Sequence, residues 1–144
     1  MKTIQRFVMG VVIGSLGLAA VLVTTGAPTF AQKKEAVFVN LTSDEPERVT
    51  MALNFSTKLL QGGNEVTVFL NVDGVRLGST KVAALSSQRG ELATFMKAGG
   101  KVVICPHCMQ VRGVAAGDLL AGLTMGGEGA GQHAFMASTR SISY

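Results

Sequence analysis

The chain has 144 residues, with 13 lysines and arginines against 9 aspartates and glutamates, giving a formal charge of +4. That length predicts one domain, and the basic residues form neither a run nor an alternation with aromatics, which excludes a nucleic-acid-binding footprint. The two cysteines, Cys105 and Cys108, lie too close in sequence to staple a small secreted fold and read instead as a redox or metal pair.

Lys2 and Arg6 precede an uncharged, mostly apolar run from Phe7 to Val23, followed by Gly26, Pro28 and Thr29-Phe30-Ala31. A charged start, an apolar middle and small residues before a cut after Ala31 predict a secretory signal peptide over residues 1–31. The rival is an uncleaved N-terminal anchor, because the run is at the short end of what spans a bilayer, about 17 residues. Gly10, Gly14 and Gly17 weaken such an anchor. On either reading residues 32–144 form an exported domain, periplasmic or otherwise outside the cytoplasmic membrane. It is tied to the membrane only if the leader stays attached.

Ala36 to Leu41 predicts a first strand, rich in β-branched and aromatic residues. Thr42 to Glu47 predicts a helix start, with Asp44 and Glu47 at capping-box spacing and Pro46 in the first turn. Val49, Ala52, Leu53, Leu59 and Leu60 fall on one face of that helix, and Gly62-Gly63 ends it. Glu65 to Leu70 is a second strand, closed by the turn Asn71-Val72-Asp73-Gly74, with an irregular stretch to Ser86. Ser87 is placed to cap a second helix carrying Leu92, Phe95 and Met96, with Gly90 weakening its first turn and Gly99-Gly100 ending it. Lys101 to Ile104 is a third strand, and Met109 to Val111 resemble the first turn of a helix after it. The order β-α-β-α-β predicts a parallel sheet with helices on its faces. The tail carries weaker signals: a short strand within Leu119–Met125, a glycine-rich loop Gly126–Gly131, a short helix His133–Ser138 and a terminal strand Arg140–Tyr144.

Cys105-Pro106-His107-Cys108 is the strongest chemical signal. A thiol there sits past the carboxyl end of a strand, where open α/β folds place their chemistry. It also faces the positive end of a helix, where a thiolate is favoured over a thiol. A pair of ordinary buried cysteines is the bland alternative. A thioredoxin-type dithiol is a second reading, and the Pro-His insert matches that of a periplasmic thiol oxidant. However, none of the three prolines, Pro28, Pro46 and Pro106, follows the motif to face a disulfide, and the motif follows a third strand rather than an early one. A metal site is the third reading. Only His107 and His133 are available to complete a set, and no second Cys-X-X-Cys or His-X₃-His exists, so no metal and no other cofactor is predicted. Gly126–Gly131 lacks the pattern of a P-loop or a dinucleotide fingerprint and reads as a loop. The methionines read as core filling, and no serine-histidine-acid set has a spacing logic.

Several pieces together resemble the DsrE/DsrF-like sulfur-relay family, which includes DsrE and TusD. They are the strand Ala36–Leu41 before an acidic helix start, the Phe69–Val75 turn, Gly99-Gly100 before the third strand, and Cys-X-X-Cys-Met-X-X-Arg-Gly over Cys105–Gly113. The resemblance covers most of Glu35–Met125. It implies an α/β three-layer sandwich with a mostly parallel five-stranded sheet, assembled as trimers or hexamers. It also implies chemistry in which a cysteine carries sulfur as a persulfide. Counted back from Arg112-Gly113, Cys105 falls at the family's sulfur-accepting position. Arg112, placed early in the following helix, either holds an anionic sulfur species or pairs with a surface acid. Gly113 answers a backbone need.

This chain departs from the family pattern in its leader, its second thiol and its looser glycine-rich tail. Cys108 is positioned to attack a persulfide on Cys105, release sulfide and close a disulfide. The expected function is sulfane-sulfur handling by an exported carrier or transferase, with Cys105 accepting, Cys108 resolving and Arg112 supporting. Its expected partners are sulfur donor and acceptor proteins and further copies of itself. The alternatives are a thiol-disulfide oxidoreductase and a non-catalytic binding or assembly module with a static disulfide.

Overall fold

Three short strands with alternating faces set the architecture: β1 (Ala36–Leu41), β2 (Glu65–Leu70) and β3 (Lys101–Ile104). The structure is a computed structural model and describes residues 33–144; the leader read from the sequence, residues 1–31, lies outside the described residues. β4 (Thr124–Met125) and β5 (Arg140–Ser143) complete a five-stranded sheet in the order β4-β3-β2-β1-β5, and every pairing is parallel.

Helices α1 (Pro46–Gln61) and α2 (Ser86–Lys97) connect the first three strands. Each crossover steps the same way along the sheet, and right-handed connections put both helices on one face. Val37, Val39 and Leu41, Val66, Val68 and Leu70, and Val102 and Ile104 point to that face, where Val49, Leu53, Leu92 and Phe95 meet them in a single apolar cluster. The last crossover runs the other way, from β4 at one edge to β5 beyond β1. Its helix, α4 (Ala130–Met136), therefore lies on the opposite face. There Phe38 packs on Phe69 with ring centroids 6.0 Å apart, and edge-on to Phe135 of α4 at 5.9 Å. Among the described residues no helix is long and apolar enough to cross a membrane.

Two helix starts differ from the sequence expectation. Glu45, not Asp44, caps α1: its carboxylate accepts the amides of Glu47 at 3.0 Å and Arg48 at 2.9 Å. Pro46 occupies the first helical position, so the residue immediately before it must be the cap. Asp44 instead pairs with Arg76 at 3.0 Å. Ser87 caps nothing, because a 3₁₀ turn over Ala83–Leu85 leads directly into α2 at Ser86 and the helix has no free first turn at Ser87.

The turn after β2 is a 3₁₀ segment, Val72–Gly78, fastened to the end of β1. The amides of Asp73 and Gly74 both donate to the Thr42 carbonyl, at 3.0 and 3.1 Å. Gly74 lies so close to β1 that a Cβ would fall 2.2 Å from the Leu41 carbonyl oxygen. Val72, a β-branched residue, is held at φ 48°, a conformation that L side chains with branching at Cβ avoid.

Gly74→Ala is expected to destabilise the domain by about 1–3 kcal/mol, the usual range for overpacking. Gly90→Ala, inside α2 with open space where its Cβ would lie, is expected to stabilise it by about 0.5–1 kcal/mol. Urea titrations of the two variants against the parent check both signs.

Candidate functional site at the end of the third strand

Alternation along β3 decides which way the first thiol faces. Val102 and Ile104 enter the core, so Lys101, Val103 and then Cys105 lie on the opposite parity, the side of Phe38 and Phe69. The Cys105 amide still donates to the Leu70 carbonyl at 3.0 Å, extending the β2–β3 ladder by one residue. The chain then turns into α3 (Pro106–Arg112), with Cys105 as its cap and Pro106 at the position that needs no amide donor. The helix therefore starts three residues earlier than Met109, and Cys108 lies in its first turn. Buried Met109 anchors α3 to the core, and Gly113 ends it at φ 67°, the backbone need read from the sequence.

The Cys108 amide donates to Cys105 Sγ at 3.2 Å, and both cysteines are free and partly buried. Burial pushes the Cys105 thiol above its ordinary value, and the adjacent Cys108 side chain pushes it further the same way. The amides of Cys108 and His107 oppose them without overcoming them. This upward push runs against the expectation of a thiol poised as thiolate by the helix end, with desolvation set against two amide donors.

Arg112 lies in the last turn of α3, not its early part. Its guanidinium grips Asp73 with two contacts, Nε to Oδ1 at 2.9 Å and Nη2 to Oδ2 at 3.2 Å. Of the two roles open to it, this is the acid-paired one, and it ties α3 to the Val72–Gly78 turn. His107 is exposed on α3 and His133 on α4. Among the described residues no group of three or more His, Cys, Asp or Glu side chains is arranged to hold a metal ion.

The two thiols open on different hollows. Cys105 lines a cavity of about 610 Å³ between the sheet and the segment Gly126–Phe135. Its walls include Phe38, Asn40, Phe69, Asn71 and Phe135. Cys108 lines a smaller hollow of about 150 Å³ with Val72, Val111 and Arg112, and His107 borders both. The sequence reading missed the cavity walls. The parity of β1 and β2 places Phe38, Asn40 and Phe69 on one face, but only the register joins them: Asn40 stands opposite Phe69, and Phe69 opposite Val103. The glycine-rich stretch is the roof of this cavity, leading into α4 rather than forming an idle loop. A Cβ on Gly131 would lie 2.5 Å from the Phe69 ring.

The profile of the DsrE/DsrF-like family matches residues 33–142. The chain belongs to the DsrE/DsrF-like family. Among solved structures it is similar to the YchN protein of E. coli, with a TM-score of 0.65 and 17% identity over 78% of this chain and 100% of that one. It is also similar to MTH1491 of Methanobacterium thermoautotrophicum, a protein of unknown function, with a TM-score of 0.64 and 18% identity over 75% of this chain and 97% of that one. At such identities the likeness is one of fold, and it agrees with the parallel five-stranded α/β sandwich. No curated protein matches. DsrE/DsrF-like membership is consistent with sulfur relay in general.

Because the neutral thiol of Cys105 is favoured, its alkylation by iodoacetamide is expected to rise with pH and reach half-maximum above the ordinary cysteine value. Cys108→Ala removes one upward influence and is expected to move that midpoint down. A stopped-time alkylation series read by mass spectrometry checks the order of the two midpoints.

Proposed function

We propose that this DsrE/DsrF-like chain accepts sulfane sulfur on Cys105 as a persulfide and passes it to a partner thiol, with Cys108 as the resolving thiol. The supporting observation is the placement of Cys105 at the mouth of a parallel sheet, open to a cavity large enough for a small molecule or an inserted side chain. In the first step the Cys105 sulfur attacks the outer sulfur of a donor R–S–SH. The donor S–S bond breaks, and Cys105–SH and R–S–SH become Cys105–S–SH and R–SH. An acceptor thiol then attacks the outer sulfur and regenerates Cys105–SH. Where no acceptor intervenes, Cys108 attacks the inner sulfur, H₂S departs and a Cys105–Cys108 disulfide closes, to be reopened by a thiol reductant.

The separate hollow of Cys108 suits this division of labour, since a reductant approaching Cys108 does not compete with a donor approaching Cys105. A dithiol oxidant is less well supported. Such an oxidant draws its driving force from a stabilised thiolate, whereas burial and its neighbour push Cys105 upward. Arg112, held by Asp73, supports the site by positioning α3.

The reading extends to the setting. The chain works outside the cytoplasmic membrane after removal of residues 1–31, meets donor and acceptor proteins there, and self-associates as a trimer or hexamer. Met51 and Phe55, one turn apart on α1 and 59% and 42% exposed, supply apolar surface for self-association.

Exposure of the reduced protein to a persulfide donor is expected to add one sulfur to the parent and none to Cys105→Ala, by intact mass. Cys108→Ala is expected to keep the added sulfur longer and release less sulfide. An unchanged parent mass overturns the reading. N-terminal sequencing of protein recovered from the cell envelope is expected to begin at Gln32, and a start at Met1 overturns cleavage.

A further inference from the structure

The cavity beside Cys105 has walls that select among sulfur donors. Three phenylalanine rings, Phe38, Phe69 and Phe135, form its apolar body, with the bare backbone of the glycine-rich roof above. Among the described residues no lysine or arginine lines it, and its charged or titratable neighbours are Glu128 and His107 besides the thiol itself. An anionic donor entering here meets three aromatic rings, a carboxylate and, among the described residues, no fixed cation, an arrangement that disfavours charge. One polar feature stands in the wall. Asn71 donates to Asn40 Oδ1 at 2.8 Å, while its own Oδ1 is buried and without a hydrogen-bond partner among the described residues.

We infer that the cavity takes an uncharged organic hydropersulfide with an aromatic or similarly apolar body, presenting its outer sulfur to Cys105. This inference rests on Cys105 being a sulfur acceptor and adds the class of donor. The neutral hydropersulfide is also the form in which the outer sulfur is electrophilic, so a cavity that disfavours charge holds the donor in its reactive state. Transfer is balanced without any other reactant: Cys105–SH and R–S–SH give Cys105–S–SH and R–SH. The Cys105–S bond to the outer sulfur forms, the donor S–S bond breaks, and the Cys105 proton ends on the departing thiol. His107, at the border of the cavity, is the side chain available to carry it.

The test compares two donors of matched chemistry, benzyl hydropersulfide and the hydropersulfide of 3-sulfanylpropanoate, which carries a carboxylate. Both are generated in situ, and each rate is divided by its rate with a free cysteine peptide. Loading of Cys105, read by intact mass, is expected to favour the benzyl donor by about tenfold or more, the scale of discrimination an apolar pocket achieves. Phe135→Ala, at a position 49% exposed and so tolerant of truncation, is expected to lower the benzyl rate several-fold and leave the carboxylate donor unchanged. Glu128→Lys, at an exposed position of the rim, is expected to raise the carboxylate donor's rate. Equal normalised rates for the two donors, with Phe135→Ala without effect, overturn the cavity inference and leave Cys105 as an acceptor. Loading by neither donor overturns the acceptor reading itself. A change in sedimentation mass on Phe135→Ala, with no change in the benzyl rate, assigns the patch to contact between copies and also overturns the inference.

Discussion

Everything in this molecule depends on one constraint: three adjacent parallel strands commit the same parity to the core. With Val37, Val39 and Leu41, Val66, Val68 and Leu70, and Val102 and Ile104 all turned toward α1 and α2, the alternate positions have no choice of direction. Phe38, Asn40, Phe69 and Cys105 are delivered together to the opposite face by geometry alone. A slip of one residue in β3 would exchange Ile104 with Cys105 and bury the thiol in hydrocarbon. The strong apolar demand of the α1/α2 face is therefore what turns the Cys105 sulfur toward the cavity.

The opposite face is covered unequally, and this too follows from the strand order. Of three crossovers in one direction, the first two place long helices on the core side. The single reverse crossover to β5 supplies only the short α4. A sheet face roofed by seven residues cannot be filled, and the space left over is the cavity. Its floor carries the Phe38 and Phe69 rings, residues that also suit β-strands.

Much of this was legible in the sequence. The strands β1, β2 and β3 follow from their β-branched runs, the last two each preceded by a glycine pair, and the family could be read from Cys105–Gly113 together with the strand and turn before it. What escaped was one local rule and several non-local contacts. Glu45 rather than Asp44 caps α1 because Pro46 fixes the first helical position, a local rule outweighed in the sequence reading by the more familiar capping-box spacing. The upward push on Cys105 arises from burial and from its neighbour, neither of which a motif displays. The cavity walls lie on four separate segments and join only through the register between strands. The choice between Arg112 as an anion holder and as an ion-pair partner depended on Asp73, distant in sequence and brought close by the turn after β2.

The contact between Gly131 and the Phe69 ring has a consequence for how such a chain diversifies. The missing methyl sets the ceiling height: any larger residue there must tilt α4 or displace the ring. Because α4 makes no part of the main core, such a tilt leaves the folding of the other face intact. The guest size admitted beside the sulfur can thus drift through changes in one short helix, while the sheet that aims the sulfur stays as it is.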